Sequence, residues 1–207
     1  MTTDGVTRTK SAQRRIPAEQ RRREILDAAL ACFLKDGVAA TTIEQIRRAS
    51  SASHGSIYHL FRSKDEIALT LFVEGMQAYQ TKMLAALEKT STAKECIRAI
   101  ISMHLNDVAD DPALALYLTR LGMADDIGEI SDRYRTLNDE FARAVWSHLK
   151  PFVDRGELIR LPPELYFSLI IGPATHLSRN WLRGRIEHNL TAAADELAEA
   201  AWKSLRM

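Results

Sequence analysis

The chain has 207 residues, of which 46% are hydrophobic and 27% are charged, and its formal net charge is +1. This length fits one domain or two small ones, and the hydrophobic fraction is enough for a sizeable core. No apolar run reaches the ~18–20 residues that a bilayer-spanning helix needs, and the N-terminus lacks the apolar segment of a signal peptide. We therefore expect a cytoplasmic protein without a membrane partner.

The charged residues are unevenly distributed along the chain. Residues 1–64 carry 12 lysines or arginines and 6 aspartates or glutamates, a net charge of +6, whereas the remainder carries 16 and 21, a net charge of −5. A basic first third on an acidic body favours a polyanion-binding N-terminal region. The alternative is a basic disordered tail with ordinary surface scatter, since the tail supplies part of the excess.

The composition predicts an all-α fold. The chain has 9 Gly and 6 Pro residues in a sequence rich in Ala, Leu, Glu and Arg, which favours helix. The alternating β-branched runs that indicate strands are missing. Cys32 and Cys96 lie in apolar helical contexts without metal-ligand spacing, which is typical of buried thiols in a reducing compartment.

The N-terminal segment is predicted to contain a tail and one helix. Residues 1–16 are polar and basic, so we expect a flexible tail that either lies on DNA phosphates or only keeps the protein soluble. Pro17 is a favourable first-turn residue for a helix to about residue 35, and Gly37 follows as a left-handed cap. The apolar face of this helix contains residues at helical spacing, namely Ile25, Ala28, Ala29, Cys32 and Phe33.

Two short helices joined by a tight polar turn come next. The first begins at the capping-box pattern of Thr41 and Glu44, the turn spans residues 50–52, and Ser53 caps the second helix at about residues 54–60. Such a pair buries little surface on its own. We therefore expect it to place the second helix against a partner, and the surrounding positive charge indicates that this partner is DNA.

The rest of the chain is predicted to be helical. Ser63 and Glu66 form a second capping box, which begins a long helix to about residue 88, and Asp111 caps a helix with Pro112 in its first turn. The dipeptide 172–173 is expected to bend a strongly apolar helix. The other predicted helices span about residues 93–108, 129–155, 164–182 and 191–205. The seam of the second of these is Tyr134, Leu137, Phe141, Val145 and Leu149.

Residues 25–72 together resemble the DNA-binding domain of the TetR family of bacterial transcriptional repressors. The resemblance is specific because many spaced positions agree at once. The matching residues are Ile25, Leu26, Ala28, Ala29, Phe33, Gly37, Thr41, Thr42, Ile43, Ile46, Ser53, Gly55, Ile57, Tyr58, His59, Phe61, Ser63, Lys64, Asp65 and Glu66. Beyond about residue 75 the resemblance is architectural, with a softer likeness of residues 172–184 to a dimerisation helix.

The resemblance implies three parts and a function. These parts are a flexible basic tail at residues 1–16, a helix-turn-helix DNA-binding domain at 17–64, and a helical regulatory, ligand-binding and dimerisation domain at 65–207. The expected protein is a ligand-responsive repressor that binds a palindromic operator as a homodimer and is released by a small-molecule effector. We expect no enzymatic activity, no cofactor and no metal.

The second short helix would enter the major groove. Its first residues, Ser53, His54, Gly55 and Ser56, are expected at base edges, where Ser and His discriminate less than Arg does on guanine. By resemblance, the phosphate contacts would come from Thr42, Tyr58, His59, Lys64, and from Arg47 or Arg48. Tyr58 as a supporting aromatic and Lys64 as a solvated first-turn residue are the alternatives.

Three residues depart from the family pattern within the helix-turn-helix. Most members have Ala at the position of Arg47, so the arginine is expected either to extend outwards or to push the helices apart. Most have Ala-Gly at Ser50-Ser51, and Ser51 would occupy the left-handed position of the turn at a cost of roughly 1 kcal/mol.

The resemblance also predicts how the body assembles. The last two helices would pair with their symmetry mates in a four-helix bundle, through an interface of Phe167, Ile170, Ile171, Trp181 and Trp202. The alternative is that several of these belong to the intrachain core. The effector site would lie among the middle helices, but each candidate there is more commonly a core residue. These candidates are Met76, Tyr79, Met83, His104, Tyr117, Met123, Phe141, Trp146 and His176.

Two alternative functions can be weighed against the sequence. A small helical enzyme is disfavoured because the usual nucleophile, metalloprotease, phosphate-loop and dinucleotide motifs are absent. A dimeric helical protein-interaction module with a degenerate DNA-binding head is favoured only by Arg47 and Ser51. A metal site at His104, Asp107, Asp110 and Asp111 is disfavoured because the spacing fits no zinc or calcium pattern.

Overall fold

The structure is a computed structural model that describes residues 17–122, 129–187 and 189–207. The tail at residues 1–16 and the candidate Met123 lie outside the described residues, as do the side chains of Tyr134 and Leu137. Within the described ranges, no helix is long and apolar enough to cross a bilayer.

The described regular structure is helical, which confirms the predicted all-α fold. The pairing of Leu158 with Arg206 is an isolated bridge outside any strand. The helices are α1 (Ala18–Ala40), α2 (Ile43–Ser50), α3 (His54–Leu60), α4 (Lys64–Leu87), α5 (Ala93–Asp110), α6 (Pro112–Gly122), α7 (Glu129–Asp154), α8 (Pro163–Leu182) and α9 (Ala194–Leu205).

We call α1–α3 and the first half of α4 the head. Its core is built from the apolar faces that the sequence predicts, and Ile25, Ile46 and Ile57 are fully buried there. Helix α1 consists of two helical segments that meet at a kink at Gly37, whose φ of 80° only glycine adopts without strain. The first segment thus ends near the predicted position, and a short second segment extends to Ala40.

The cap of α2 lies one residue later than predicted. Thr42 is the N-cap, and its side chain exchanges hydrogen bonds with Gln45 in a complete capping box. The hydroxyl of Thr41 is instead buried and donates to the Gly37 carbonyl at 2.7 Å. The prediction of a Thr41–Glu44 box was wrong because two adjacent threonines offer the same pattern, and burial selects between them. The predicted caps at Ser53 and Ser63 are confirmed.

We call the remainder of α4, with α5–α9, the body. Helix α5 lies at its centre, between α4, α8 and α9. Asp111 caps α6 through the backbone N–H of Leu114, as predicted. Helix α8 continues through Gly172 and Pro173 as one element, and a short 3₁₀ turn at Thr191–Ala193 leads into α9.

Helix α6 belongs to both parts of the molecule. Its Tyr117 is 2% exposed, lies in the head core and donates a hydrogen bond to the Ala68 carbonyl at 2.9 Å. The Tyr117 ring also stacks on Phe33 of α1, with ring centroids 6.0 Å apart, and Arg120 donates to the Leu34 carbonyl. The head is thus fixed to the body through α6 as well as through the continuous α4.

Candidate nucleic-acid interface and body cavity

The predicted DNA-contacting side chains lie on the surface of the head or at its edge. The exposed ones are Thr42, Arg48, Ser53, His54, Gly55, Tyr58 and His59, and the half-buried ones are Arg47, Ser56 and Lys64. The apolar side of α3 faces the other way, because Ile57 is fully buried. This arrangement leaves the N-terminal turn of α3 free to approach a partner.

The N-terminus of α3 is held by its own serines. Ser53 accepts a hydrogen bond from the backbone N–H of Ser56 at 3.1 Å, and the two hydroxyls are 2.7 Å apart. Between them, Gly55 presents bare backbone, and a methyl group added there would meet no protein atom within 4 Å. Packing within the protein therefore does not require glycine at this position, whereas close approach by a partner would.

Two aromatic side chains stand on the outer face of α3. Tyr58 is 53% exposed, and its ring stacks on the ring of His54 with centroids 5.3 Å apart and an interplanar angle of 20°. The alternative of a half-buried Tyr58 that supports the head is therefore wrong. The stack orders two rings that project from the outer face of α3.

The two arginines of α2 share one carboxylate. Glu44 accepts from Arg47 at 2.7 Å and from Arg48 at 2.9 Å, and the Arg47 guanidinium, followed by that of Arg48, lowers the pKa of Glu44 to about 2. Arg47 therefore extends outwards along α2 and does not push α2 and α3 apart. Glu44 has a role that the sequence analysis did not assign, although its spacing of three and four residues from the arginines was a usable signal.

The turn between α2 and α3 accommodates serine in place of glycine. Ser51 has φ 52° and ψ 21°, the left-handed conformation predicted for this position. Ser50 is buried, and its hydroxyl accepts from the backbone N–H of Ala52 at 3.3 Å. The turn therefore keeps its geometry. The left-handed conformation of Ser51 lowers the stability of the fold but does not change the path of the turn.

Lys64 connects α4 to the end of α1. Its ammonium donates to the carbonyls of Val38, Ala39 and Thr41 at 2.8, 2.5 and 2.9 Å. An ammonium has three hydrogens, so in this arrangement all of them are used. The alternative of a merely solvated first-turn lysine is wrong, and Lys64 stabilises the junction that positions the helix pair.

A cavity of about 190 Å³ lies in the body between α4, α5, α6 and α8. Of the candidates from the sequence, Met76, Tyr79 and His104 line it. Met83 and Tyr117 are core residues at 2% exposure, Phe141 and Trp146 pack against the body core, and His176 lines a separate groove. The other lining residues are Asp107, Val108, Ala115, Leu118, Thr119, Gly122, Thr175 and Arg179.

His104 is held in one neutral tautomer on the wall of this cavity. Ser178 donates its only hydroxyl hydrogen to the Ala174 carbonyl at 2.8 Å, so it accepts from Nε2 of His104 at 3.2 Å. Nδ1 then accepts from the Tyr79 hydroxyl at 3.1 Å. Burial, reinforced by the nearby Arg179 charge, lowers the pKa of His104 to about 4.

Three of the four residues named for a metal site have other partners. His104 is bound by Tyr79 and Ser178, Asp107 pairs with Lys82 at 2.5 Å, and Asp111 caps α6. In the part of the chain that the structure describes, no three His, Cys, Asp or Glu side chains are grouped to hold a metal ion.

The predicted dimer residues on α8 and α9 fall into two groups. Ile170 is 1% exposed and lies in the body core, so it offers no surface to a second copy, and its prediction was wrong. The half-buried residues are Phe167, Ile171, Trp181 and Trp202. Leu165 and Leu169 were not among the predicted interface residues, yet their side chains are 46% and 40% exposed. Their spacing of four residues on an apolar helix was the available signal.

Comparisons with known proteins support this assignment of a DNA-binding head. The family model of bacterial regulatory proteins of the tetR family matches residues 25–71. The fatty acid metabolism regulator protein of Bacillus subtilis (strain 168) is 24% identical over 177 residues, which cover 85% of this chain and 91% of the relative.

Two solved structures show the same fold. The fatty acid degradation regulator FadR from Bacillus halodurans has a TM-score of 0.77 at 20% identity, covering 92% of this chain and 97% of that one. The transcriptional regulator FadR from Bacillus subtilis, solved in complex with stearoyl-CoA, has a TM-score of 0.76 at 22% identity, with 86% and 96% covered. The match of residues 25–71 to the tetR family model and the shared fold together support a ligand-responsive, DNA-binding transcriptional regulator of the TetR family.

Proposed function

We propose that the protein acts in the cytoplasm as a dimeric repressor that binds a palindromic operator and leaves it when a small molecule occupies the body cavity. The DNA-binding unit is residues 17–64 and the regulatory unit is residues 65–207. The observation that carries the proposal is the free N-terminal turn of α3, with Gly55 bare and no protein atom in front of it.

The proposed DNA contacts follow the exposure of the head. Ser53, His54, Gly55 and Ser56 approach base edges in the major groove, and the backbone contacts come from the surrounding side chains. Those side chains are Thr42, Arg47, Arg48, Tyr58 and His59. Lys64 would join them only by releasing one of the three carbonyls that its ammonium binds. Phosphates would compete with Glu44 for Arg47 and Arg48, because one carboxylate now holds both guanidinium groups.

DNA binding is tested by fluorescence anisotropy on the DNA upstream of the protein's own coding sequence, over a range of salt concentrations. Affinity should fall steeply with salt, and Arg48→Ala should reduce the slope of log K against log salt by about 1. Arg160→Ala removes an equally exposed arginine from the body and should leave the slope unchanged. A wild-type affinity that does not depend on salt would contradict the mechanism.

The proposed dimer uses the outer face of α8 and α9. Leu165 and Leu169 are exposed apolar side chains on α8, and a groove lined by Pro173, Leu177, Ile186 and Leu197 continues this face towards α9. A two-fold pairing would cover these groups and space two heads for half-sites about one helical turn apart.

Sedimentation tests the dimer. Leu169→Glu places a charge in the proposed interface and should convert the protein to monomers, whereas Gln77→Glu adds a charge to an exposed position of α4 and should not. A Leu169→Glu protein that remains dimeric with unchanged affinity would show that dimers form through another surface.

The names of the relatives favour an acyl compound as the effector. One relative is a fatty acid metabolism regulator, and a solved neighbour holds stearoyl-CoA. A protein-interaction module with a degenerate head is the competing proposal. The outward course of Arg47 and the regular turn at Ser51 count against it, and a folded dimer that fails to bind DNA at low salt would favour it.

A further inference from the structure

Arg179 of α8 has a buried side-chain donor without an acceptor among the described residues. Its Nε is buried and has no hydrogen-bond acceptor, and the residues that the structure describes provide no carboxylate to its guanidinium. A buried donor without an acceptor is costly, and an anion is a strong partner for a guanidinium. Arg179 also lines the body cavity, so an anion bound there could reach it.

The other polar groups of the cavity cannot supply that anion. Asp107 is the lining carboxylate, and it is paired with Lys82. His104 is neutral and has both ring nitrogens bonded, one to Tyr79 and one to Ser178. The described wall of the cavity therefore keeps one uncompensated positive charge, which lies at Arg179.

The surroundings of Arg179 are apolar on one side and basic on the other. Met76, Val108, Ala115 and Leu118 form the apolar part of the cavity. A second cavity of about 360 Å³ shares Arg179 and Thr119 with the first. Its described lining brings three arginines to one place, and these are Arg120, Arg179 and Arg183.

We propose that Arg179 is the anchor for the anionic group of the effector, and that the site takes an anionic amphiphile. The carboxylate or phosphate of the ligand pairs with Arg179, its apolar chain lies against Met76 and Leu118, and further negative charge lies in the second cavity near Arg120 and Arg183. This inference deepens the proposed function, because it rests on the body cavity as the effector site and names the chemistry that fits it.

The chain length of the ligand follows from the size of the first cavity. A cavity of about 150 Å³ holds a benzene-sized group, and the cavity here has about 190 Å³. A chain of roughly eight carbons that extends from Arg179 is therefore a suitable probe. Octyl phosphate and octanoate carry a phosphate or a carboxylate at the end of this chain, and octanol has the same chain without a charge.

Binding of the three probes to the full-length protein is measured by titration calorimetry. Octyl phosphate, octanoate or both should bind, and octanol should bind at least about tenfold more weakly. Binding of octyl phosphate alone identifies the anion as a phosphate, and binding of octanoate alone identifies it as a carboxylate. Equal binding of octanol, or no binding of either anion, would overturn the proposal.

Substitutions at Arg179 separate anchoring from folding. Arg179→Gln should weaken the bound anion about 10- to 100-fold, and Arg179→Lys should restore much of that loss. Arg185→Gln removes an exposed arginine that lines neither cavity and should change nothing. Unchanged affinity in Arg179→Gln would overturn the proposal.

Thermal stability gives an independent readout. Arg179→Met replaces the unpartnered guanidinium by an apolar chain of similar length, so its melting temperature should equal or exceed that of the wild type. A large fall would show that Arg179 serves the fold. None of these measurements uses DNA, so a protein that binds the probes through Arg179 but fails to bind DNA would refute the proposed function and leave this inference standing.

Discussion

The head and the body treat their charged side chains in opposite ways. In the head, charges are satisfied by neighbours close in sequence or at a helix end, as Glu44 is by two arginines and Lys64 is by three carbonyls. In the described part of the body, His104 is half-buried in its neutral form and Arg179 has a buried donor without an acceptor. The charges of these head residues are therefore paired in the absence of DNA, whereas the described wall of the body cavity keeps a positive charge with which a ligand can pair.

The joint between the two regions should show the largest effect. Tyr117→Ala removes a buried ring that packs on Phe33 and bonds to Ala68, and we expect a loss of about 3–5 kcal/mol in the free energy of unfolding. Denaturant unfolding monitored by circular dichroism measures this loss. Tyr117→Phe keeps the ring and should cost about 1 kcal/mol. Equal effects of the two changes would mean that the hydrogen bond, and not the packing, joins head to body.

The body should be the acid-sensitive region. The folded pKa of His104 is about 4, below its ordinary value, so between about pH 6.5 and 4 the unfolded chain binds a proton that the folded chain does not. This difference in proton binding lowers the free energy of unfolding by about 3 kcal/mol at pH 4 relative to pH 7. Unfolding of His104→Gln at both pH values should show a smaller loss. Identical pH dependence would contradict the neutral buried imidazole.

The head should respond to acid at a lower pH than the body does. Glu44 has a lowered pKa of about 2, so its pairing with Arg47 persists while the pH falls towards that value and is lost only below it. Arg47 and Arg48 therefore keep the same partner across the range in which His104 titrates in the unfolded chain.

Lys64 tests how far the head depends on a single cation. Lys64→Met removes three hydrogen bonds from an ammonium to the end of α1, and we expect a loss of about 1–3 kcal/mol in unfolding free energy. Lys89→Met, at an exposed position of the body, is the matched control. A stable Lys64→Met protein with weakened DNA binding would instead assign the lysine to phosphate contact alone.

The turn of the head should gain stability from glycine. Ser51 is exposed and has a positive φ, so Ser51→Gly relieves strain without loss of packing and should raise the unfolding free energy by about 1 kcal/mol. Ser53→Gly, at an extended position with a capping hydroxyl, should lower it. A neutral Ser51→Gly would mean that the flexibility of glycine in the unfolded chain offsets the relief.

The smallest effect is expected at Arg47. Its ion pair with Glu44 is exposed and is shared with Arg48, so Arg47→Ala should leave the melting temperature nearly unchanged. The same variant should weaken DNA binding if Arg47 reaches the phosphates. A large fall in melting temperature would reveal a structural partner.

Rules of short range explain how much of the head could be predicted. Caps at Ser53 and Ser63, the face around Ile57 and the left-handed Ser51 all depend on residues within four positions, and each was predictable. The cap at Thr42 was missed because the choice between two threonines depends on burial against α1.

The body was less predictable because its site depends on contacts between distant helices. Met76, His104 and Arg179 come from α4, α5 and α8, and no spacing in the sequence links them. Ile170 and Leu169 are adjacent and equally apolar, yet only packing decides which is core and which is exposed. That the buried Nε of Arg179 finds no acceptor among the described residues is likewise a property of the folded chain.

Because α6 packs in both the head and the body, it affects how hybrid regulators can be built. A graft that exchanges heads at residue 64 would carry away α1 but leave behind Ile67, Phe72 and Tyr117, which are part of the same core. The foreign head would then meet a surface shaped for another helix. Transplants should therefore move α1 and its contact face on α6 together, and a successful cut of the chain would follow the boundary of the core and not that of the sequence motif.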